Sequence, residues 1–267
     1  MSERRHEMTT KPVLLRRPGM EAVEVRERPG YGGPEGSGLH LYLPPSEGTG
    51  ALRPAVVFVS GYPDPGFEAM LGCRLEQMQC YVDWARLVAS AGMIGVTYAN
   101  REPVADLRAL LGHLREHGLA LGIDATRLGL WAASGNVPTA LGALMEDGGA
   151  SLRAAALLYG YTLDLDGDST VAQAAAQVGF ANPTAGRGLD ELPRSVSLMV
   201  VRAGGDATPG LDHALLRFLA AAEAQGRELV RIDLPDAPHA FDLLDDRPST
   251  GEAIEAVLQY LGMHLGA

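Results

Sequence analysis

Leu128 to Leu141 reads LGLWAASGNVPTAL, and the order of its parts decides the fold. The run Leu128 to Ala133 is unbroken in its apolar character, as expected of a strand buried on both faces rather than one half-exposed to water. It stops at the Ser134-Gly135 step, and a helical pattern runs from Pro138 to Met145, with proline at its first turn. A strand that passes through a sharp turn straight into a helix is the building unit of a parallel α/β sheet. Such a turn sets a serine at the carboxyl end of its strand, where sheets of this kind carry their chemistry.

The rest of the chain repeats this rhythm. Apolar runs at Ala55–Ser60, Met93–Ala99, Arg127–Ala133, Ala154–Gly160, Ser197–Gly204 and Leu229–Pro235 predict the other parallel strands. Helical patterns over Leu75–Ala91, Pro103–His117, Leu211–Gln225 and Gly251–Leu265 fall between and after them. Ahead of these, Ala22–Glu27 and Leu39–Leu43 read as an antiparallel hairpin around the turn PGYGGPEGSG, followed by the linker PPSEGTGALRP. The fold expected is a doubly wound, mostly parallel α/β sheet with right-handed crossovers. The whole chain, 1–267, reads as one domain, with residues 1–18 as a flexible arm. The connection 161–196 is too long for a plain turn and carries a helical pattern at Thr170–Val178, so it is expected to form a small cap or pocket wall.

Composition bounds the function. Apolar residues make up 46% and charged ones 21%, which is ordinary for a globular protein, and the net charge of −11 argues against nucleic acid or an anionic membrane as partner. No window approaches the roughly 18 apolar residues of a membrane span, and the polar start lacks a secretory apolar core. Two cysteines, Cys73 and Cys80, are too few for a disulfide framework, which points to a cytoplasmic setting; their spacing fits no zinc motif. Asp164, Asp166 and Asp168 resemble a calcium loop only superficially, since glycine and glutamate do not fall where such a loop needs them. Phosphate-cradling glycine motifs are absent. Neither a metal nor a cofactor is expected, and oligomeric state stays open.

A serine hydroxyl becomes a nucleophile when a histidine takes its proton and a carboxylate holds that histidine in the right tautomer. Asp206 follows the strand SLMVVRAG and His239 follows LVRIDLP, so Ser134, Asp206 and His239 each stand just past a parallel strand. Rival acids are Asp212, Asp164 and Asp166; rival histidines are His40, His113, His117 and His213. Backbone N–H groups of Gly135 and Tyr62 would serve the oxyanion, Tyr62 lying in the loop Ser60-Gly61-Tyr62-Pro63-Asp64 and its phenol offering another donor. Gly61, Asn136 and Phe241 are candidate pocket residues.

On SGYPD, WAASGN, RAGGD and APHAF, in that order, the chain resembles the α/β-hydrolase superfamily of serine esterases, especially its dienelactone-hydrolase-like and small-esterase members. The resemblance spans Leu39 to Leu265 and implies an eight-stranded sheet, with acyl transfer to water and no cofactor. By position it makes Ser134 the nucleophile, Asp206 the acid, His239 the base, and Tyr62 and Gly135 the oxyanion donors. Two positions depart from the family. Ser60 stands where a histidine often precedes the loop glycine, and the small residues flanking the nucleophile at two places' distance are Ala132 and Asn136. Asparagine is bulky there, so it must point away or touch the pocket. The expected substrate is a small to medium acyl or aryl ester. A lactone or dienelactone is the alternative substrate, and a non-catalytic binder of a small ligand is the alternative function.

Overall fold

A computed structural model describes residues 5–32, 38–45 and 50–267. The centre of the expected PGYGGPEGSG turn and part of the PPSEGTGALRP linker lie outside the described residues. Eight strands form one sheet: β1 (Glu24–Arg28), β2 (Leu39–Leu43), β3 (Arg53–Phe58), β4 (Ile94–Tyr98), β5 (Ile123–Ala133), β6 (Leu152–Leu158), β7 (Ser197–Ala203) and β8 (Val230–Leu234). Their spatial order is β1-β2-β4-β3-β5-β6-β7-β8. β1 and β2 run antiparallel to each other, β2 runs antiparallel to β4, and every other pairing is parallel. The expected hairpin and doubly wound sheet are both present.

The sheet's two edges carry charge, which guards exposed strands against pairing with other chains. β1 reads EVRER and is exposed throughout, and on β8 Arg231 and Asp233 pair on the solvent side. Between the edges the strands are buried on both faces. One face packs against α2 (Gln79–Ser90) and α8 (Pro248–Leu265), the other against α3 (Pro103–Leu121), α4 (Val137–Asp147) and α6 (Leu211–Ala224). On the first face Trp131 of β5 stacks between Phe58 of β3 and Trp84 of α2, with ring centroids 5.3 and 5.2 Å away.

Several expected boundaries shift for local reasons. Gly19, at φ 90°, starts a short 3-10 turn over Met20–Ala22, so β1 begins at Glu24 rather than Ala22. The expected helix Leu75–Ala91 is broken at Met78, whose extended ψ of 139° separates a 3-10 turn from α2. α3 runs on to Leu121, where Gly122 at φ 75° ends it and hands directly to β5. α1 (Asp64–Leu71) was not expected, because Pro65 and Gly66 disguise its first turn as a loop. A short α7 (Phe241–Leu244) follows the loop after β8.

The N-terminal stretch is not a projecting arm over the described residues. The Val13 N–H donates to Asp83 of α2 at 3.0 Å and the Leu14 N–H to the Asp242 carbonyl at 2.9 Å, and the Val13 side chain is buried. Val13 is buried in the core, and Met8 and Leu15 pack partly buried against it.

The connection between β6 and β7 contains α5 (Thr170–Val178), and its Tyr161, Val171, Ala174 and Phe180 form a small apolar cluster with Leu211 and Ala214 of α6. Among the described residues no helix is long and apolar enough to cross a membrane.

Close packing between α2 and β4 gives a direct test. A Cβ added at Gly95 would fall 2.8 Å from the Ala85 carbonyl oxygen and 3.0 Å from its Cα, so helix and strand backbones touch there. Gly95→Ala should destabilise the protein by about 1–3 kcal/mol, seen as a lower urea midpoint at unchanged slope.

Candidate active site

Parallel strands in register deliver Ser134, Tyr159, Asp206 and His239 to one end of the sheet, since Ala133 pairs with Leu158, Leu158 with Val201 and Ala203 with Leu234. Ser134 sits at φ 56°, the left-handed region that costs a non-glycine residue about 1–2 kcal/mol. Ala133 before it is extended and Val137 after it is already helical, so the turn is compressed into Ser134–Asn136. Tyr159 at φ 33° and Ala240 at φ 55° share the same sparsely populated region around the site.

Asp206 and His239 are brought together by their loops. Gly204 donates to the Leu234 carbonyl at 2.8 Å and Gly205 to that of Ala237 at 2.9 Å. Any side chain at Gly205 would come within 2.9 Å of the Asp236 oxygen, which is why the loop before Asp206 reads Gly-Gly-Asp. Through this stitch His239 Nδ1 meets Asp206 Oδ2 at 2.6 Å, with the Asp206 carboxyl fully shielded from solvent. Burial pushes that carboxyl up, but hydrogen bonds from His239 and Thr208 outweigh it and hold it below its ordinary value. An ionised carboxylate only accepts, so Nδ1 carries a proton toward Asp206, and Nε2 is the ring nitrogen that the pair leaves unengaged.

The ring of Tyr159 lies edge-on to His239 at 5.0 Å, and its hydroxyl donates to Asp242 Oδ1 at 2.8 Å. The Trp84 indole donates to the other Asp242 oxygen at 2.7 Å. Burial raises the Asp242 carboxyl above its ordinary range against these two donors. Next to Tyr159, the Gly160 position abuts the Ser134 carbonyl, 3.2 Å from where a Cβ would stand. The Tyr159-Gly160 step is therefore flanked by His239 on one side and by the Ser134 turn on the other.

The rival groups are engaged elsewhere. Asp212 forms a two-pronged pair with Arg202, Asp164 accepts the Val171 and Ala172 N–H groups at the start of α5, and Asp166 pairs with Arg217. His213 meets Asp168, His40 meets Glu76, and His113 stacks on His117.

The loop after β3 packs directly on the serine turn. A Cβ at Gly61 would stand 2.9 Å from the Asn136 Cα and from the Gly135 oxygen. The Tyr62 hydroxyl lies over Gly135, as does Phe180, whose Cδ1 is 2.7 Å from a Cβ built there. Burial pushes the Tyr62 phenol up to about 12, which keeps it a donor at neutral pH. Tyr62, Phe67, Phe180 and Tyr161 form a continuous aromatic wall, with centroid spacings of 5.5 Å for Tyr62–Phe67, 5.9 Å for Tyr62–Phe180 and 5.3 Å for Phe180–Tyr161. Phe180, Tyr161 and Tyr159 were not singled out in the sequence, though Phe180 falls in the long connection expected to wall the pocket.

Two of the expected pocket residues lie elsewhere. Phe241 is buried beneath His239, its ring edge-on to Tyr159 at 5.3 Å. Asn136 is buried as well and points away from the pocket: Oδ1 accepts the Gly61 N–H at 2.7 Å, while Nδ2 donates to the Tyr81 hydroxyl at 3.0 Å and the Ala133 carbonyl at 2.9 Å. Gly61, the third, serves the close approach of the two loops.

Asp64 closes the loop after β3 and opens α1. One of its oxygens accepts the Asn100 N–H at 2.6 Å, and burial raises the carboxyl to about 6 against that bond. A folded-state value above the unfolded one means the unfolded chain loses its proton first as pH rises, so stability falls between the ordinary carboxylate range and about 6. Urea unfolding at pH 4.5 and 6.5 should show this decline in the wild type and a shallower one in Asp64→Asn.

No family model and no curated protein matches the chain. Solved structures do. A thermostable esterase from Pseudomonas putida aligns over 92% of this chain and 84% of its own at 17% identity and TM-score 0.69. A bacterial heroin esterase aligns over 92% and 86% at 14% identity and TM-score 0.68. A thermophilic esterase from Thermogutta terrifontis aligns over 92% and 94% at 17% identity and TM-score 0.64. The chain has the fold these proteins share, the α/β-hydrolase fold.

Proposed function

We propose that the protein hydrolyses carboxylic esters through an acyl-serine intermediate, with Ser134 as nucleophile, His239 as base and Asp206 as its orienting acid. The observation that carries this reading is the 2.6 Å His239–Asp206 pair, which fixes the imidazole through Nδ1 at the sheet end where Ser134 stands in a strained turn. That the structural neighbours are esterases supports this reading.

Ser134 Oγ attacks the ester carbonyl carbon as its proton passes to His239 Nε2. The imidazolium that forms is stabilised by the shielded Asp206 carboxylate. Negative charge on the carbonyl oxygen is met by the Tyr62 and Gly135 N–H groups and by the Tyr62 phenol, donors that gain most in the transition state. Collapse expels the alcohol, which takes the proton from His239. Water then attacks the acyl-Ser134 carbonyl with His239 again as base, releasing the carboxylic acid and restoring the serine. The aromatic wall of Tyr62, Phe67, Tyr161 and Phe180 suits a small to medium acyl or aryl group.

A fluorophosphonate probe and a panel of p-nitrophenyl esters test this directly. The wild type should be labelled and turn over short-chain esters. Ser134→Ala should lose labelling and at least about 10³-fold in rate. Ser134→Gly should be equally inactive yet more stable than the alanine variant by about 1 kcal/mol, because only glycine is at ease at that φ. Full activity in Ser134→Ala would remove Ser134 as nucleophile.

A further inference from the structure

We propose that Asn136 is a positioning residue that fastens the loop after β3 to the nucleophile turn, so that this loop, with its Gly61 carbonyl on Ala181, presents the Tyr62 N–H to the oxyanion. This rests on the hydrolase reading above and adds a residue to it.

The argument starts from the freedom of glycine. Gly61 has no Cβ to restrict its φ and ψ, so the two peptide planes that meet at its Cα have no local reason to hold one direction. Both are held from outside. The upstream plane presents the Gly61 N–H, which Asn136 Oδ1 accepts at 2.7 Å. The downstream plane presents the Gly61 carbonyl, which accepts the Ala181 N–H of the cap at 2.8 Å. In a trans peptide the carbonyl and the following N–H point in opposite directions, and no peptide bond among the described residues is cis. Fixing the Gly61 carbonyl on Ala181 therefore fixes the Tyr62 N–H to face away from the cap loop.

The clasp itself has one orientation. Asn136 Nδ2 carries two hydrogens and finds two acceptors, the Ala133 carbonyl at 2.9 Å and the Tyr81 hydroxyl at 3.0 Å. Turning the carboxamide over would set oxygen against the Ala133 carbonyl and an N–H against the Gly61 N–H, losing both bonds. Tyr81 is in turn tied by its hydroxyl to the Val59 carbonyl at 3.2 Å, at the end of the strand that feeds the loop. One side chain thus joins the residue before the nucleophile, the loop that carries the donor and the helix beneath them. Glycine at 136 would leave the Gly61 N–H, a buried donor, without the acceptor it has here.

Because the oxyanion forms only as the reaction proceeds, misdirecting its donor slows the chemical step without weakening substrate binding. Asn136→Gly and Asn136→Ala, assayed on p-nitrophenyl butyrate, should lose about 10–100-fold in kcat with KM changed less than two-fold. A trifluoromethyl ketone, which adds Ser134 to form a tetrahedral oxyanion, should weaken by the same factor. Fluorophosphonate should still label Ser134 to one equivalent, showing a folded chain with its nucleophile in place. Tyr81→Phe keeps the ring and the Gly61 bond and removes only the hydroxyl; it should show a smaller loss in kcat, again without a KM change, and serves if the Asn136 variants do not fold.

A wild type that neither labels nor hydrolyses ester overturns the hydrolase reading and this inference with it. An active wild type whose folded Asn136→Gly variant keeps its kcat, or loses only in KM, overturns the positioning role alone. So does a Tyr81→Phe variant indistinguishable from wild type when the Asn136 variants fail to fold.

Discussion

Parallel pairing from β4 across to β8 is the constraint on which everything else hangs. It sends each of these strands' carboxyl ends to the same side of the molecule, so a residue one step past a strand is automatically near residues one step past its neighbours. The chain needs no long-range search to assemble Ser134, Asp206 and His239; it needs only strands of matched length and turns that stop at once. The backbone is accordingly most distorted there. Ser134, Tyr159 and Ala240 all hold left-handed φ angles at this end of the sheet, whereas the fourth non-glycine case, Asp166, lies in the cap. Strain of this kind survives only where surrounding structure over-determines it, and here the Trp84–Asp242–Tyr159 bonds and the Gly204–Gly205 stitch supply that structure.

Much of this was legible in the sequence because its signals are local. Buried parallel strands write themselves as apolar runs, and the six predicted ones fall where β3 to β8 lie, with ends displaced by a few residues. The order of Ser134, Asp206 and His239 likewise needed only strand ends. The pattern failed where two local signals conflict. Apolar periodicity continues across Met78, so the break between a 3-10 turn and α2 was invisible, and Pro65-Gly66 hid the start of α1 although proline is welcome in a first helical turn.

What the sequence did not reveal is contact between distant segments. Tyr81 and Phe180 reach the Ser134 turn from α2 and the 161–196 connection, Ala181 reaches the loop after β3, and nothing near them in the chain announces it. Asn136 is the instructive case. As a letter in a motif it counts as a blemish, a bulky residue where space is short. In three dimensions its side chain leaves the crowded space and fills a neighbouring one, satisfying an acceptor, a hydroxyl and a donor in a single carboxamide.

That arrangement has a consequence for how such a turn changes over evolutionary time. An elbow built on glycine and one built on asparagine are not joined by a neutral single step, because the asparagine's partners on three separate segments are shaped around it. Gly61, Tyr81 and the Ala133 carbonyl would have to find new company before residue 136 was free to drift. Replacing residue 136 in this fold is therefore not a local change but one that has to be answered in segments far apart in the chain.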